Sequence, residues 1–517
     1  MEHFLSRGGY VFSFDIKQGY HHVDMHPDSI PYLGFAWEID GSTRYFVFLV
    51  LPFGLTSAPF IFTKIVRALV KFWRSQGVRI CVFIDDGLGT KEGYSLTKMD
   101  AKLVRESLGL SGFVANHEKS HWDPTQELTW LGNTVNLDLG TYTVSKKRED
   151  ALLAALDLTS RNLPFTSARK LAKLTGKIIS SKWILGDIIH LKTRHLYRVI
   201  TTRKSWDGTL SLNRYPEAIT EIIFWKKNFK TLNTRGFSQA TCPTVIVASD
   251  ASATGLGAHI QARTGEFTVQ KNLTPEEQDT SSAHREVLAI LYGLDSLRHL
   301  CKGQSILWYT DNWSASRIVR KGSPVPQLHE MAEKIYEIGR SSDIELQVEW
   351  IPREMNHYAD YLSKVIDHDD WQTSPGLFRY IDHKWGPHTI DRFASSSNSK
   401  IRRFNSKYLC PNTEQVNAFT VHWEAENNFL VPPVTYIPKV LSYMKSCRAK
   451  GTLLAPYWPS AAFYPLLFPD GFSPAPFVIA WEILPYRSGL VTQGENKDCF
   501  IGSEQFVSDM LVVRIKC

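Results

Sequence analysis

Cysteine is scarce in this sequence: there are seven among 517 residues, odd in number and widely scattered. No Cys-x-x-Cys pair occurs, so neither a disulfide framework nor a zinc finger is indicated, and a reducing compartment is favoured. A long apolar run is also missing. The most apolar stretch, residues 45–62, is interrupted by two prolines and a glycine, whereas a membrane span needs about 20 apolar residues. This stretch is therefore expected in a protein core.

The first residues contain no apolar segment of the kind that a secretory signal peptide needs. We therefore expect an intracellular protein, in the cytoplasm or nucleus, without a membrane partner. Hydrophobic residues make up 43% and charged residues 21% of the chain, which is typical of globular domains, and the length suggests about three or four of them. The net charge of +7 is compatible with a polyanionic partner but small for this length.

Two short apolar segments end in carboxylates. Residues 11–14 predict a strand that ends at Asp15. Residues 78–84 predict a second strand, followed by Asp85 and Asp86 in an apparent Asp-Asp-Gly hairpin turn. If the strands are neighbours, three carboxylates converge, and a pair of Mg²⁺ ions about 4 Å apart would neutralise them and serve phosphoryl transfer. From the acids alone, a solvated turn beside an unrelated aspartate is the better interpretation.

Five segments around these acids resemble motifs of retroelement reverse transcriptases, in the order of that family. They are residues 12–21 (motif A), 51–59 (motif B), 83–86 (the Tyr-x-Asp-Asp box), 116–119 (motif D) and 130–132 (the primer grip). The resemblance implies a palm domain over residues 1–145. Asp15 and Asp85 would bind two catalytic Mg²⁺ ions, with Asp86 completing the cluster. RNA template, DNA primer and dNTPs are the implied partners.

The same resemblance assigns three residues to substrate binding. Tyr20 would stack under the incoming sugar and exclude a 2′-hydroxyl group, Gly54 would permit close approach of the nucleotide, and Lys119 would assist the pyrophosphate leaving group. The sequence departs from the family at Phe83, which replaces the usual tyrosine, and at Phe53, where many relatives carry glutamine. Only fourteen residues precede the motif A aspartate, so the fingers strands are expected to be missing and primer extension to be weak or absent.

Residues 146–240 show a helical periodicity of leucine and isoleucine and are predicted to form a helical thumb and connection. Their basic residues suit sequence-independent contacts with a nucleic-acid backbone, although each alone fits a solvated helix face equally well. They are Lys146, Lys147, Arg148, Arg169, Lys170, Lys173, Lys177 and Lys182. Trp183 and Trp225 are expected in the core, and the polar residues 231–243 are expected to be a linker.

A second group of acids lies on separate predicted elements. Asp250 ends a strand, Glu286 lies near the start of a helix, and Asp311 follows another strand. Asp360 lies on a short helix further along the chain. Four carboxylates on separate elements indicate a second two-metal site. Taken one by one, each is better explained as an exposed or capping acid, and Asp311 in particular is placed to cap a helix that starts near Ser314.

Together these segments resemble ribonuclease H. The matching segments are residues 249–252, 285–287, 309–312 and 351–360. The resemblance implies a mixed sheet with helices over residues 241–366. The four acids of this group would hold two Mg²⁺ ions and direct water onto the RNA strand of an RNA–DNA hybrid. His357 is a candidate for product release, although a single histidine is more often structural.

Residues 367–517 are rich in proline and aromatic side chains. Within them, residues 370–375, 386–394 and 431–434 resemble motifs of phage-type DNA adenine methyltransferases and imply an α/β domain of that kind. The family has Asn-Pro-Pro-Tyr where this chain has valine at both ends of residues 431–434, and no glycine-rich loop for S-adenosylmethionine is evident. An inactive domain that does not bind S-adenosylmethionine is therefore expected. An unrelated proline-rich domain is the alternative.

The three resemblances, in this order, are typical of the polyprotein of a DIRS-type retrotransposon. They predict a multidomain α/β and α+β protein with a partial palm, a helical thumb and connection, a ribonuclease H-like mixed sheet and a methyltransferase-like α/β domain. The predicted function is RNA-directed DNA polymerase with ribonuclease H activity. The alternative is a truncated, inactive remnant that at most binds nucleic acid. The missing fingers and the two valines support the remnant, and the intact acids support the enzyme.

Overall fold

The computed structural model describes residues 4–237, 243–262, 265–365, 368–494 and 499–517. The chain divides into two compact units, Met1–Ala240 and Thr241–Cys517, which are described separately. The predicted domain boundaries at residues 240–241 and 366–367 lie outside the described residues. Within the described ranges, no helix is long and apolar enough to cross a membrane.

The first part of unit one contains an antiparallel sheet and two helices. Its elements are β1 (Tyr10–Asp15), β2 (Gly34–Ile39), β3 (Ser42–Val47), α1 (Ala58–Ser75), β4 (Arg79–Phe83), β5 (Asp86–Lys91), α2 (Tyr94–Leu110) and β6 (His121–Thr125). The sheet is antiparallel with the order β4-β5-β1-β6, and β2 and β3 form a separate hairpin. Phe12 and Phe14 of β1 are buried in one core with Phe62 and Trp73 of α1.

Two glycines of β5 allow this core to form. Phe12 lies opposite Gly89 and Phe14 lies opposite Gly87 in the antiparallel register. A Cβ atom at either glycine would lie 2.2 Å from the facing phenyl ring, so each ring lies directly against the backbone of β5. The predicted strand over residues 11–14 is confirmed. Its burial holds Asp15 at the end of the sheet.

The hairpin turn between β4 and β5 is not where the sequence predicted it. Phe83 pairs with Asp86, so Asp86 and Gly87 belong to β5. The two turn residues are Ile84 and Asp85. Ile84 has a φ of 58°, a conformation that two-residue hairpins need but that β-branched residues rarely adopt. The interpretation of Asp-Asp-Gly as the turn was wrong because strand pairing continues through Asp86.

The remainder of unit one is mainly helical, as predicted for residues 146–240. Its elements are β7 (Glu127–Trp130), β8 (Asn133–Asn136), β9 (Thr141–Val144), α3 (Lys146–Arg161), β10 (Phe165–Ser167), α4 (Ala168–Ile179), α5 (Lys182–Leu185), α6 (Ile188–Leu191), α7 (Arg194–Thr201), β11 (Thr209–Ser211), α8 (Pro216–Leu232) and β12 (Arg235–Gly236). Trp225 is fully buried, as predicted. Trp183 is half-buried, with its ring centroid 4.4 Å from that of Tyr142.

The predicted linker over residues 231–243 is wrong in part. Helix α8 continues to Leu232, and Arg235 and Gly236 pair with β9 to complete a sheet of order β12-β9-β8-β7. The chain thus returns from the helical region to the small sheet that precedes it. Residues 238–242 of the predicted linker lie outside the described residues.

Unit two begins with the mixed sheet that the sequence predicted. Its elements are β13 (Val245–Ala251), β14 (Gly255–Ala262), β15 (Gly265–Asn272), α9 (Pro275–Gln278), α10 (Ser282–Leu297), β16 (Ser305–Thr310), α11 (Trp313–Lys321), α12 (Pro326–Ser341), β17 (Glu345–Trp350) and α13 (His357–Lys364). The strand order is β15-β14-β13-β16-β17. The pairs β15–β14 and β14–β13 are antiparallel, and β13–β16 and β16–β17 are parallel.

The C-terminal part has an α/β fold, as predicted. Its elements are β18 (Trp371–Thr373), α14 (Pro375–Trp385), β19 (Ile390–Asp391), β20 (Asn405–Ser406), β21 (Gln415–Val416), β22 (Asn427–Leu430), α15 (Ile437–Ser446), β23 (Lys450–Pro456), α16 (Tyr464–Leu467), β24 (Val478–Leu484), β25 (Val491–Gln493) and β26 (Met510–Lys516). The main sheet has the order β19-β22-β23-β26-β24, with parallel pairing from β19 to β23. The likeness to methyltransferases stays a prediction.

The C-terminal part covers the β15 edge of the mixed sheet. The N–H of Leu409 donates to the carbonyl of Thr268 at 3.0 Å, and Leu409 forms a parallel bridge with Val269. The Leu409 side chain packs against the core of the mixed sheet. Because an exposed edge strand is a template for aggregation, this contact protects the sheet. Experiments on the mixed sheet therefore need the C-terminal part as well.

We expect Leu409→Ala to lower the free energy of unfolding of unit two by about 1–2 kcal/mol. This is below the roughly 2–5 kcal/mol of a fully buried leucine, because Leu409 is only partly buried. Urea unfolding followed by circular dichroism measures the change. The control is Leu466→Ala, whose side chain is 42% exposed, with an expected change below about 0.5 kcal/mol. Equal effects of the two substitutions would contradict the assigned contact.

Candidate active sites

The three predicted acids of unit one lie at the same end of the sheet. Asp15 ends β1 and faces Asp86 directly in the antiparallel register, so their side chains share one face. Asp85 is the second turn residue, and its carbonyl accepts from the N–H of Ile16 at 2.9 Å. The structure thus places Asp15, Asp85 and Asp86 at one end of the sheet, although the two strands expected to be neighbours, β1 and β4, are separated by β5.

The electrostatics of these acids reflect burial and mutual repulsion. Burial, followed by the charges of Asp85 and Asp15, raises the pKa of Asp86 to about 6. Burial also raises the pKa of Asp85. Lys119 is the nearby cation, with Nζ 3.7 Å from Asp15 Oδ2. Among the described residues, Asp15, Asp85 and Asp86 do not form a group whose potential ligand atoms all lie within 4.8 Å of one another. This cluster is therefore wider than the acid cluster of unit two.

The residues predicted to bind substrate lie in an aromatic environment. The Tyr20 ring centroid is 4.9 Å from that of Phe53 and 5.3 Å from that of Phe62. Gly54 has a φ of 93°, and a Cβ atom there would meet nothing within 4 Å, so its backbone conformation is the feature that favours glycine. Phe53 and Phe83 are 61% and 57% exposed. The nucleotide-binding roles stay predictions.

The predicted primer-grip segment borders a basic cleft. Leu131 and Gly132, with φ of 50° and 77°, form the turn between β7 and β8. A Cβ atom at Gly132 would lie 2.0 Å from the guanidinium carbon of Arg148, so Arg148 packs directly on this turn. A cavity of about 920 Å³ lies here, and Lys146, Lys147, Arg148 and Lys177 are among its lining residues. Four of the predicted basic residues thus line one surface.

Unit two brings three of its four predicted acids into one compact cluster. Asp250 lies near the end of β13, Glu286 in the second turn of α10, and Asp311 just past β16. Their carboxylate oxygens approach within 4.8 Å of one another. Asp250 and Glu286 are each only 4% exposed. The parallel pairing of β13 with β16 places Asp250 and Asp311 at the same end of the sheet.

Burial and repulsion make this cluster costly without a cation. Burial, then the charges of Asp250 and Asp311, raises the pKa of Glu286 to about 9, although Thr310 Oγ1 donates to Glu286 Oε2 at 3.3 Å. Burial raises the pKa of Asp250 and of Asp311 as well. Two buried carboxylates and one half-buried carboxylate, whose oxygens approach within 4.8 Å of one another, fit a hard divalent cation such as Mg²⁺, which takes oxygen ligands.

Asp360 lies beside this cluster but is engaged elsewhere. Its Oδ1 accepts from Arg353 at 2.9 Å, and its Oδ2 accepts from Lys364 at 2.5 Å. These hydrogen bonds, that of Lys364 first, lower the pKa of Asp360. Asp360 still influences Asp250 and Asp311 through its charge. Its role as a fourth ligand stays a prediction, as does product release by the exposed His357.

Sequence reasoning missed or misassigned some side chains near the acids. The cap of α11 is Asn312, whose Oδ1 accepts from Ala315 at 3.0 Å, so the alternative of Asp311 as the cap is wrong. Trp350 Nε1 donates to the carbonyl of Asp311 at 2.8 Å. Ser363 Oγ donates to Asp250 Oδ2 at 2.6 Å. The signal for Ser363 was its position four residues after Ala359 on a short helix, which places both on one face.

In the C-terminal part, residues 431–434 directly follow the buried strand β22. Val431 is 8% exposed. A cavity of about 350 Å³ lies next to this segment, with Trp371, Phe393, Tyr436 and Lys439 among its lining residues. The cavity has aromatic and cationic walls, and Val431 offers it no polar side chain.

Family models match two segments of the chain. Residues 5–135 match the reverse transcriptase (RNA-dependent DNA polymerase) family. Residues 243–337 match the RNase H-like domain found in reverse transcriptase. These matches cover the first acid cluster completely and the second up to Asp311.

Known proteins similar to the chain include two Pol polyproteins of Drosophila melanogaster. The retrovirus-related Pol polyprotein from transposon opus is 26% identical over 437 residues, which are 78% of this chain and 41% of that protein. The one from transposon 297 is 20% identical over 378 residues, 70% of this chain and 31% of that protein. The chain thus spans less than half the length of these relatives.

Solved structures similar to the chain include the foamy viral protease-reverse transcriptase. One is in complex with RNA/DNA hybrid (TM-score 0.39, 18% identity, 67% of this chain and 44% of that chain). Another is in complex with dsDNA (TM-score 0.38, 17% identity, 67% of this chain and 68% of that chain). From the family matches and the Pol relatives, the chain contains a reverse transcriptase domain and an RNase H-like domain of a retrotransposon Pol polyprotein.

Proposed function

We propose that this chain hydrolyses the RNA strand of an RNA–DNA hybrid and that its first unit is an RNA-directed DNA polymerase. The observation that carries the proposal is the cluster of Asp250, Glu286 and Asp311. Three carboxylates, two of them almost fully buried, meet within 4.8 Å at the open end of a sheet in a segment that matches RNase H-like domains. A purely structural cluster of this kind would be strongly destabilising.

The proposed cofactor is Mg²⁺, two ions per site, held in unit two by Asp250, Glu286 and Asp311, with Asp360 as the fourth acid. When bound, such ions activate water and stabilise the leaving oxygen. The residues of this chain fix the geometry. Thr310 orients Glu286 through its hydroxyl, and burial excludes water from behind the acids. Arg353, exposed and hydrogen-bonded to Asp360, is placed to approach the phosphates of a hybrid.

In unit one, Asp15, Asp85 and Asp86 are the proposed metal ligands, and dNTP, DNA primer and RNA template are the proposed partners. Lys119 stands beside Asp15 and offers a cation to the departing pyrophosphate. The basic cleft around Arg148 offers phosphate contacts to the primer strand. Tyr20 and Gly54 are proposed to shape the nucleotide pocket.

We also propose that the element is of the DIRS type and that residues 367–517 are a methyltransferase-like domain without methyl transfer. The support is the place of residues 431–434 directly after β22, with Val431 offering no polar group to the adjacent cavity. Incubation of the chain with tritiated S-adenosylmethionine and DNA tests this. We expect no labelled DNA, and transfer that is lost on mutation of Pro432 would contradict the proposal.

The experiment that tests the main proposal uses the full chain and a hybrid labelled differently on each strand. We expect Mg²⁺-dependent cleavage of the RNA strand and an intact DNA strand. Duplex DNA of the same sequence is the control substrate. Cleavage of neither strand at any Mg²⁺ concentration would favour a protein that only binds nucleic acid.

Two observations on unit one favour this second candidate, a protein that only binds nucleic acid. The acids of unit one are more widely spaced than those of unit two, and Lys119 already pairs with Asp15. We therefore expect primer extension to be the weaker activity. Asp85→Asn is expected to abolish any extension measured with a labelled primer and dNTPs. Extension that persists in Asp85→Asn would remove Asp85 from the proposed site.

A further inference from the structure

Ser363 connects the last helix of the mixed sheet to the acid cluster. Its Oγ lies 2.6 Å from Asp250 Oδ2 and 2.9 Å from the carbonyl oxygen of Asp360. A hydroxyl group has one proton, so it donates to one of these acceptors at a time. The bond to the ionised carboxylate is shorter and charge-assisted, and it is therefore the stronger one. Ser363 and Asp250 are 0% and 4% exposed, so water does not compete for this contact.

The backbone around Ser363 is held in place by contacts with β14. A Cβ atom at Gly257 would lie 2.6 Å from the backbone nitrogen of Ser363, and one at Gly255 would lie 2.7 Å from its carbonyl oxygen. Helix α13 therefore lies directly on the backbone of β14, which only glycine allows. Ser252 Oγ also donates to the carbonyl of Ser363 at 2.6 Å. The hydroxyl of Ser363 thus has a fixed position relative to Asp250.

We propose that Ser363 is a positioning residue for the metal site of unit two. Its hydroxyl holds one oxygen of Asp250, so that the carboxylate keeps a single orientation toward Glu286 and Asp311. This inference rests on the proposed ribonuclease H function. Groups that hydrogen-bond to metal ligands set their orientation, and their loss typically costs about 10–100-fold in metal affinity or activity.

The test measures metal binding by the full chain. The parent chain for this test carries Asp85→Asn, which weakens metal binding in unit one. Calorimetric titration with Ca²⁺, in the absence of nucleic acid, compares the parent chain with the same chain carrying Ser363→Ala. We expect the dissociation constant to rise about tenfold. In Mg²⁺-dependent hybrid cleavage, the half-saturating Mg²⁺ concentration should rise by a similar factor, and saturating Mg²⁺ should restore most of the rate.

The matched control is Ser296→Ala. Ser296 is also a buried helical serine, but its Oγ donates to the carbonyl of Tyr292, and no bond to the acid cluster involves it. Its removal deletes the same atom without touching Asp250, so the Ca²⁺ dissociation constant should stay within about twofold of the parent value. Circular dichroism melting of both variants separates a loss of fold from a loss of metal affinity.

The outcomes are distinguishable. Ca²⁺ binding that Ser363→Ala leaves within about twofold, or that Ser296→Ala weakens equally, would overturn the role of Ser363 while leaving the proposed function intact. A parent chain that neither binds Ca²⁺ in unit two nor cleaves hybrid would instead overturn the proposed function. If Ser363→Ala does not fold, Ser363→Cys provides the test. The thiol fills similar space with a weaker donor, so metal binding must still be weaker than in the parent.

Discussion

Asp250→Asn is expected to reduce Mg²⁺-dependent cleavage of the RNA strand by at least about a hundredfold. The substitution removes one charge from a cluster of three carboxylates within 4.8 Å, and it leaves any ion that they hold misplaced. A misplacement of about 1 Å costs on the order of a hundredfold in rate. We expect Asp311→Asn to have an effect of the same size. Cleavage of a labelled hybrid by the full chain is the measurement.

Asp343→Asn is the matched control for these substitutions. Asp343 is exposed, it lies two residues before the start of β17 at the opposite end of the sheet, and its φ of 54° suits asparagine equally well. Its cleavage rate should equal that of the parent. The fold should survive in all three variants, because neutralising one acid relieves repulsion in the metal-free cluster. Parent-like cleavage by both Asp250→Asn and Asp311→Asn would remove these acids from the site.

Glu286→Gln is expected to remove most of the pH dependence of stability in the metal-free protein. Glu286 has its pKa raised to about 9 by burial and by its two acidic neighbours. An acid with a raised pKa keeps its proton in the folded state after the unfolded chain has released it. The free energy of unfolding therefore falls as the pH rises from about 5 to about 9, by up to roughly 1.4 kcal/mol per pH unit.

Thermal unfolding with EDTA, measured across this pH range, tests the effect. The melting temperature of the parent should fall with pH, and that of Glu286→Gln should fall much less. The remaining slope comes from other acids whose pKa is raised by burial, such as Asp86. Mg²⁺ should raise the parent's melting temperature most at high pH, because binding to the folded state alone adds stability. Glu330→Gln, an exposed acid paired with Lys334, should follow the parent. Parallel curves for the parent and Glu286→Gln would show that Glu286 is not the titrating group.

Both acid clusters were predicted through the family motifs that surround the acids, because the acids alone were better explained as solvated or capping residues. Which of the two clusters is more compact could not be predicted. Asp250, Glu286 and Asp311 meet within 4.8 Å, whereas Asp15 and Asp85 belong to a wider group. The difference depends on backbone placement over a few ångströms, which short apolar patterns do not contain.

Local turn chemistry misled the prediction at one site. Asp-Gly pairs usually mark a hairpin turn, yet here the turn contains Ile84 in a conformation that its side chain disfavours. Phe14 pairs with Gly87, and its ring lies against the glycine. This packing outweighs the local cost of the Ile84 conformation. Strain of this type is found at functional sites, and here it falls directly beside Asp85.

Contacts between distant segments could not be predicted from the sequence. The pairing of Arg235 with Tyr142 joins residues that are far apart in the chain and that carry no distinctive pattern. The same holds for Leu409 on the β15 edge, which makes the C-terminal part a structural support for the mixed sheet. Ser363 was visible as a serine on a buried helix face, but its acceptor could be identified only from the structure.

The rate of hybrid cleavage by the full chain as a function of Mg²⁺ concentration tests the proposed ribonuclease H function most directly. We expect no cleavage in EDTA, saturable cleavage of the RNA strand as Mg²⁺ is added, and loss of that activity in Asp250→Asn. Cleavage that is independent of Mg²⁺, or that Asp250→Asn leaves unchanged, would contradict the proposed function.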